Sequence, residues 1–388
     1  MPTRWLMLLV LFVARTTMAF QFQVVGALSP LFRETFGVGL ADIGLLIGIY
    51  YTPGLVLALP GGALGRRFGD KRMVLFGLGL MVVGSVLMAT SDVWSGQVAG
   101  RVMAGIGSVF LNVLMTKMVA DWFAGREISF AMAVYVNSFP VGIALALIIL
   151  PIVAELEGIY GALNLIAVLT VAGFLIVALC YRSPPEAKSA TIATRQPLVG
   201  AALWAVITAG VIWGLYNLAL SVIFSFGPEM FVSRGWPIAE AGSITSTVLW
   251  LLAIGAPIGG LIADWTGRRL LILILANLSF AAALGFSAMS ESVFLAVILL
   301  GLTSGIGVGV MVSLPTAVLA PAQRATGMAV FFALNYAGSL GGPLVSGWLA
   351  ERTGDVTVAF QFGAVCLIAS VICLVPYRRL AAYSASST

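Results

Sequence analysis

Long runs of apolar residues, each followed by a short polar turn, repeat along the whole chain. About 20 mostly apolar residues are enough to cross a bilayer as a helix. The pattern predicts twelve such spans, at residues 5–31, 41–64, 73–91, 95–120, 129–153, 158–181, 198–226, 238–262, 270–289, 292–317, 326–349 and 357–377. We therefore predict an all-α membrane protein with twelve transmembrane helices.

One long polar, proline-containing stretch, 183–197, separates the first six spans from the last six. It predicts an N-terminal six-helix half at 1–182, a cytoplasmic linker at 183–197 and a C-terminal six-helix half at 198–388. The two halves also repeat in parallel. At an offset of 198, the matched pairs are Pro30 with Pro228, Gly44 with Gly242, Gly69 with Gly267, and Lys71 with Arg269. Two parallel, pseudo-symmetric halves are typical of secondary transporters.

The composition supports this class and excludes several others. The 388 residues are 61% hydrophobic and 9% charged, which no soluble domain of this size resembles. Histidine, the commonest metal ligand and proton shuttle, does not occur in the sequence. No phosphate loop, catalytic carboxylate pair or metal cluster is recognisable, so we expect no enzyme activity, no metal and no cofactor. The net charge of +5 lies in short loops rather than in one patch, so we expect no nucleic-acid partner.

Basic residues define the orientation of the spans. With both termini in the cytoplasm, fifteen of the 20 Lys and Arg fall on the cytoplasmic side, and only Arg33, Arg234 and Arg352 fall outside. We therefore predict a multi-pass protein of a bacterial-type inner membrane with both termini cytoplasmic. The remaining two, Arg15 and Arg101, lie inside spans.

Arg15 lies at the centre of the first span, ten residues past Trp5, or roughly 15 Å along the helix axis. A charge at that depth costs at least ~2.5–3.5 kcal/mol. A carboxylate usually offsets such a charge, yet every Asp and Glu lies at or near the end of an apolar segment. We therefore predict that Arg15 binds an anion from outside, with Gln23 on the same side of the helix. The alternative is that Arg15 bonds backbone carbonyls of a neighbouring helix and only fixes packing.

The fourth span carries a second group of candidates. Arg101 and Asn112 lie on one polar stripe with Gly105 and Ser108. We predict substrate contacts for Arg101 and Asn112, with gating or packing as the alternative for the arginine. The Gly-Ile-Gly segment at 105–107 is interpreted as a site of close helix packing.

The seventh span offers Trp213 and Asn217, four residues apart. Trp213 is the repeat equivalent of Arg15 at the offset of 198, so we predict that it faces the arginine across a cavity and stacks on it or on a planar ligand. The alternative is an aromatic residue packed in the core. Tyr50 and Asn335 are weaker candidates for the same site.

Two turns resemble a motif of the major facilitator superfamily, G-x-L-a-D-r-x-G-r-k. They read GALGRRFGDKR at 62–72 and GLIADWTGRR at 260–269. The second copy has Asp264 and Arg268 in place. The first has Arg66 where the family has aspartate, with Asp70 four residues later, a spacing that allows the two to pair. The resemblance implies that these four residues take part in gating.

The resemblance also implies a transporter that works by alternating access. The fifth span lacks the glycine-rich G-x-x-x-G-P pattern of drug/proton antiporters, which favours branches that move small anions, such as the nitrate, cyanate and oxalate/formate carriers. We expect a monomeric carrier of a small organic or inorganic anion in the lipid bilayer, with Arg15 as its central ligand. The alternative is a proton-coupled exporter of drugs or other amphipathic compounds, while the repeat disfavours a membrane enzyme or receptor.

Overall fold

The structure is a computed structural model that describes residues 3–123, 128–184, 198–290, 292–319 and 323–386. The linker predicted at 183–197 lies almost wholly outside the described residues. The described residues form α1 (Thr3–Ala27), α2 (Ser29–Phe36), α3 (Leu40–Gly48), α4 (Thr52–Phe68), α5 (Asp70–Thr90), α6 (Trp94–Phe110), α7 (Thr116–Trp122), α8 (Ile128–Cys180), α9 (Gly200–Ser233), α10 (Ile238–Thr266), α11 (Arg269–Met289), α12 (Val293–Ile306), α13 (Val308–Ser313), α14 (Arg324–Thr353) and α15 (Thr357–Ser386). Short 3₁₀ turns at Ile49–Tyr51 and Pro315–Ala317 and a π turn at Leu111–Met115 join some of these helices.

Within the described residues, eleven helices are long and apolar enough to cross a membrane. One of them, α8, has 53 residues and would measure about 80 Å, more than twice the thickness of a bilayer core. Gly158 interrupts it with φ 73° and ψ 178°, a conformation that glycine adopts without penalty. Thus α8 comprises two spans that meet at Gly158, and the prediction of twelve transmembrane helices is confirmed.

The internal repeat is visible in the backbone as well as in the sequence. Gly69 (φ 91°) and Gly267 (φ 65°) both take left-handed conformations in the turns that follow α4 and α10. Gly37 (φ 63°) and Gly235 (φ 89°), which are also 198 residues apart, do the same before α3 and α10. Equivalent turns in the two halves therefore need the same residue type at the same place.

Contacts along the chain define two compact units. Unit 1 consists of Met1–Gly39, Leu45–Ser189 and Phe231–Ser246, and unit 2 consists of Leu40–Gly44, Ala190–Met230 and Thr247–Thr388. Each unit thus combines one sequence half with a short segment of the other. Both short segments lie around the start of a helix, α3 in unit 2 and α10 in unit 1.

A carboxylate holds each of these helix starts. In unit 1, the Ala239 N–H donates to Glu155 Oε1 at 3.2 Å. In unit 2, the Ala41 N–H donates to Glu351 Oε2 at 2.8 Å. A carboxylate at a helix N-terminus accepts from an N–H group without an intrahelical partner and is attracted by the helix dipole. In each unit, therefore, a glutamate side chain binds the helix start that comes from the other half of the sequence.

Glycines allow helices to pack closely inside each unit. A Cβ on Gly105 would lie 2.5 Å from the Tyr50 carbonyl oxygen, and one on Gly305 would lie 2.5 Å from that of Leu252. Any larger residue would push these helices apart, which confirms that the Gly-Ile-Gly segments serve helix packing.

Helix α1 is the most internal element of unit 1. Sixteen of its 25 residues are buried, and it packs mainly against α8. Leu11, Ala14 and Met18 of α1 belong to a core shared with Leu114 and Tyr135. Arg15 therefore belongs to a helix that is enclosed by apolar neighbours.

Candidate substrate-binding site

Arg15 is the thirteenth of the 25 residues of α1 and is half-buried. Its Nη1 donates to the Tyr135 carbonyl oxygen at 3.2 Å, and its Nη2 donates to Asn112 Oδ1 at 3.3 Å. Its Nε is buried and has no hydrogen-bond partner among the described residues. Two of the three guanidinium nitrogens are therefore oriented by the protein, while the buried Nε–H has no acceptor among the described residues.

The positive charge of Arg15 is not neutralised by the described part of the chain. No ion pair joins Arg15 to a carboxylate of the described residues, whereas Lys117 pairs with Asp70 and with Asp121. A carbonyl and an amide oxygen stabilise the guanidinium through hydrogen bonds but carry no net negative charge. Arg15 thus keeps a full positive charge in the middle of a transmembrane helix.

Aromatic rings lie against this guanidinium. The Arg15 Cζ is 4.5 Å from the Tyr135 ring centroid and 5.7 Å from that of Phe139, close enough for cation–π attraction. Sequence reasoning missed both residues. The sequence feature that could have identified them is their spacing: two aromatic residues four positions apart on the fifth span lie on one helix face.

A π turn carries Asn112 to this position. Residues Leu111–Met115 wind as a π-helix between α6 and α7, and the Thr116 hydroxyl donates to the Asn112 carbonyl oxygen at 2.7 Å. Such turns are rare and occur frequently at functional sites. Arg15 and Asn112, which are 97 residues apart and were predicted from different spans, are thereby brought into contact.

Arg101 has a different environment from Arg15. It is fully buried, and all three of its nitrogens donate to backbone carbonyls: Nε to Leu46 at 3.1 Å, Nη1 to Gln21 at 2.5 Å and Nη2 to Phe22 at 2.5 Å. The Tyr50 ring centroid lies 4.7 Å from its Cζ. The arginine thus ties α6 to α1 and α3.

Two further sequence candidates lie in the same region. Tyr50 is only 2% exposed and contacts Arg101 rather than Arg15. Gln23, predicted beside Arg15, is 1% exposed within the buried half of α1. Their predicted contacts with a substrate remain predictions.

A row of aromatic rings runs from Arg15 towards Arg101. Phe139 lies 5.6 Å from Phe22 between ring centroids, and Phe22 lies 5.3 Å from both Tyr50 and Tyr51. Phe139 and Tyr51 are partly exposed, whereas Phe22 and Tyr50 are buried. One wall of the Arg15 region is therefore aromatic rather than polar.

The candidates of unit 2 form a separate group. Trp213 stacks on Tyr216 at 5.4 Å and on Phe331 at 6.1 Å between ring centroids, and its Nε1 has no hydrogen-bond partner among the described residues. Asn217 donates its amide to the Trp213 carbonyl oxygen at 2.8 Å, within the same helix. The Asn335 Oδ1 is buried, again with no partner in the described chain. That Trp213 faces Arg15 remains a prediction.

The structure describes the side chains of two of the four gating candidates, Asp70 and Arg268. The side chains of Arg66 and Asp264 lie outside the described residues, so the predicted pairing of Arg66 with Asp70 stays a prediction. Asp70 forms an ion pair with Lys117, which also contacts Asp121 at 3.2 Å. Arg268 is exposed immediately before α11.

Comparison with protein families identifies the class. The model of the family described as Major Facilitator Superfamily matches residues 10–233 and again residues 212–386. The chain therefore belongs to this superfamily and is a multi-pass membrane protein and a secondary transporter, not an enzyme. This confirms the predicted fold and the transporter class, while the predicted small-anion branch stays a prediction.

Several known transporters are similar to parts or most of the chain. The inner membrane transport protein YajR of Escherichia coli is 26% identical over 255 residues, which are 64% of this chain and 55% of YajR. The probable sulfoacetate transporter SauU of Cupriavidus necator is 22% identical, over 87% of this chain and 85% of SauU. A putative tartrate transporter of Agrobacterium vitis is also 22% identical, over 88% and 82%. The chain thus spans about half the length of YajR and most of the other two.

A solved structure supports the fold. A bacterial homologue of the human lysosomal transporter Spinster, crystallised in an inward-facing and occupied conformation, matches with a TM-score of 0.77 and 17% identity. The match covers all of this chain and 98% of the other. At this identity the similarity concerns the fold and not the substrate.

Proposed function

We propose that this secondary transporter moves a small anion across an inner membrane by alternating access, and that Arg15 binds the anionic group. One observation carries the proposal: a half-buried arginine at the midpoint of α1 that no carboxylate of the described chain neutralises. An uncompensated charge at that depth is costly, and such residues usually serve function. A bound anion would supply the missing charge.

The orientation of the guanidinium supports a ligand role. Asn112 and the Tyr135 carbonyl each accept one hydrogen bond and so hold the group in place before a ligand arrives. Preorganised donors bind tightly because little further ordering is required. The Nε–H, together with a neighbouring Nη–H, can bind the two oxygens of a carboxylate side by side.

Two relatives agree with an anionic substrate. Sulfoacetate and tartrate, which appear in the names of the C. necator and A. vitis proteins, are both small organic anions. The E. coli relative is an inner membrane protein, in accord with the proposed location. We also propose that both termini are cytoplasmic, which the distribution of basic residues supports. We further propose a monomer, because the two halves of one chain already form a repeated pair.

The second candidate is an exporter of drugs or other amphipathic compounds. The aromatic wall formed by Tyr135, Phe139 and Phe22 favours it. The positive charge of Arg15 argues against cationic drugs, because binding one would bring two like charges together. An anionic substrate accounts for both the charge and the wall.

The test compares ligand binding by the wild type, Arg15→Gln and Arg15→Lys in detergent. Anions should raise the melting temperature of the wild type, since a ligand that binds the native state stabilises it. We expect the Gln variant to fold and to lose about tenfold to a hundredfold in anion affinity, as hydrogen bonds to a charged group contribute about 1.5–3 kcal/mol each. The Lys variant should lose most of the affinity because its ammonium lacks the planar fork.

Transport in sealed vesicles provides the second measurement. Exchange of labelled for unlabelled anion should be lost in the Gln variant at equal protein content. Full transport by that variant would exclude Arg15 as the central ligand. Stabilisation of the wild type by cationic drugs, and not by anions, would instead support the exporter.

A further inference from the structure

We infer that the Arg15 site selects a monocarboxylate with an apolar or aromatic body. This inference rests on the proposed function and narrows its substrate class. Three observations carry it: the number of available positive charges, the atoms that Arg15 leaves available, and the aromatic surface beside it.

The available charge favours a monoanion. Away from the ends of the spans, the sequence places two of its 20 Lys and Arg, Arg15 and Arg101, while Lys117 lies near the cytoplasmic end of the fourth span and pairs with Asp70 and Asp121. Arg101 is 0% exposed and donates from all three nitrogens to backbone carbonyls, so it presents no surface to a ligand. One positive charge remains at membrane depth. A dianion would leave its second charge without a partner inside the spans, at a substantial cost in desolvation.

The geometry of Arg15 favours a planar oxyanion such as a carboxylate over a halide. The rings of Tyr135 and Phe139 lie against the guanidinium, at 4.5 Å and 5.7 Å from its Cζ, and so cover part of its surface. Its Nε is buried and has no hydrogen-bond partner among the described residues, so an acceptor that reaches it would satisfy a buried donor. Two parallel N–H donors on one edge match the spacing of two carboxylate oxygens. A halide would use this arrangement poorly because it offers a single acceptor atom.

The surface beside the arginine favours an apolar body. From Arg15 the aromatic row continues through Phe139 and Phe22 to Tyr51, in steps of 5.6 and 5.3 Å between ring centroids. Phe139 and Tyr51 are both partly exposed, so a ligand can reach them. A small hydrophilic anion would gain nothing from these rings, whereas a ring or a short alkyl chain attached to the carboxylate would bury apolar surface against them.

The substrate class inferred here therefore differs from sulfoacetate and tartrate, the substrates named for two relatives, which carry two anionic groups each. Those relatives are 22% identical to this chain, and at that identity two transporters can bind different ligands. In this chain the site combines one positive charge with an aromatic wall.

The experiment measures binding of six probes to the purified, full-length transporter: acetate, benzoate, cyclohexanecarboxylate, nitrate, succinate and benzylamine. We expect benzoate and cyclohexanecarboxylate to bind at least about tenfold more tightly than acetate or nitrate, since burial of each CH₂ contributes about a factor of four. Succinate should bind more weakly than benzoate. Benzylamine, which has the ring of benzoate and the opposite charge, should not bind.

Phe139→Ala and Phe139→Leu test the wall itself. Both should lower the ratio of benzoate to acetate affinity at least about threefold, because the ring that benzoate would pack against is removed. The Leu variant guards against a folding defect of the Ala variant. Phe76→Ala serves as a matched control, because Phe76 is an exposed aromatic residue of α5 that packs on Phe110. It should leave the ratio unchanged.

The outcomes separate this inference from the proposed function. If acetate, nitrate and succinate bind as tightly as benzoate and all depend on Arg15, the selection of an apolar monocarboxylate is wrong and the anion transporter stands. If no anion binds, or if benzylamine binds in their place, both fail. An unchanged affinity ratio in both Phe139 variants also overturns the inference.

Discussion

Two arginines lie inside the spans of unit 1, and the protein uses them differently. Arg101 is fully buried and donates from every nitrogen to carbonyls of α1 and α3. Arg15 is half-buried, donates to one carbonyl and one side-chain amide, and keeps its Nε free of partners in the described chain. The same residue type therefore joins helices in one place and, as proposed above, binds a ligand in the other.

The difference lies in the acceptors that surround each guanidinium. Three carbonyl oxygens around Arg101 consume its directional hydrogen bonds, and the Tyr50 ring at 4.7 Å covers it. At Arg15 the second acceptor is an amide on a π turn, which offers one oxygen and leaves a donor edge unused. A buried charge thus indicates a ligand site only when its hydrogen-bonding capacity is incompletely used.

Removing Arg101 should have the largest effect. Arg101→Ala deletes three hydrogen bonds and leaves a cavity where a fully buried long side chain was, so we expect a loss of about 2–5 kcal/mol in stability. The measurement is the melting temperature in detergent without ligand. Arg72→Ala, which removes an exposed arginine of α5, is the control and should change stability by less than about 0.5 kcal/mol. A melting temperature equal to that of the control would show that Arg101 has no structural role.

Changing the partner of Arg15 should affect binding more than stability. Asn112→Asp places a carboxylate where the amide oxygen now lies, 3.3 Å from Arg15 Nη2. This internal anion neutralises the guanidinium, so we expect anion affinity to fall by about tenfold to a hundredfold with no loss of stability. Asn112→Ala adds no charge and removes one of the two hydrogen bonds that hold the guanidinium, so affinity should fall less than in the Asp variant, by about threefold. Equal binding by the Asp and Ala variants would contradict the assignment of Arg15 as the anion ligand.

The smallest effect is expected at Tyr135. Its contacts with Arg15 are made by the backbone carbonyl and the ring face, neither of which depends on the hydroxyl group. Tyr135→Phe should therefore bind anions within about twofold of the wild type, as measured by the same thermal shift. A loss of tenfold or more would indicate that the hydroxyl contacts the substrate directly.

The architecture could be predicted from the sequence because membrane burial leaves a strong local signal. Each span is a run of about 20 apolar residues, and a helix is the simplest way to satisfy its backbone in lipid. The sequence also predicted the turn between the fifth and sixth spans, at 154–157. In the structure the helix continues through Glu155 and Glu157, and the conformation of Gly158 marks the reversal.

The candidate site could be predicted only in part. Arg15 stood out because a charge at the centre of an apolar run is conspicuous in any single sequence. Asn112 was also identified, though as part of a stripe with Arg101. In the structure the π turn brings Asn112 to Arg15, whereas Arg101 contacts backbone carbonyls, so the two residues of the stripe have different neighbours. Tyr135 and Phe139 were missed because aromatic residues are ordinary in a transmembrane helix.

The sequence by itself determined the number of spans, the internal repeat and the presence of a charge at mid-span, because each of these follows from residues that are adjacent or regularly spaced. Only the tertiary structure decided that Arg101 is enclosed by carbonyls while Arg15 meets Asn112 and two aromatic rings. Those partners lie 55 to 124 residues away in the chain, and their approach depends on packing at glycines such as Gly105 and on the winding of a π turn. Hydropathy records whether a segment enters the membrane, but which side chains meet there depends on how the helices pack.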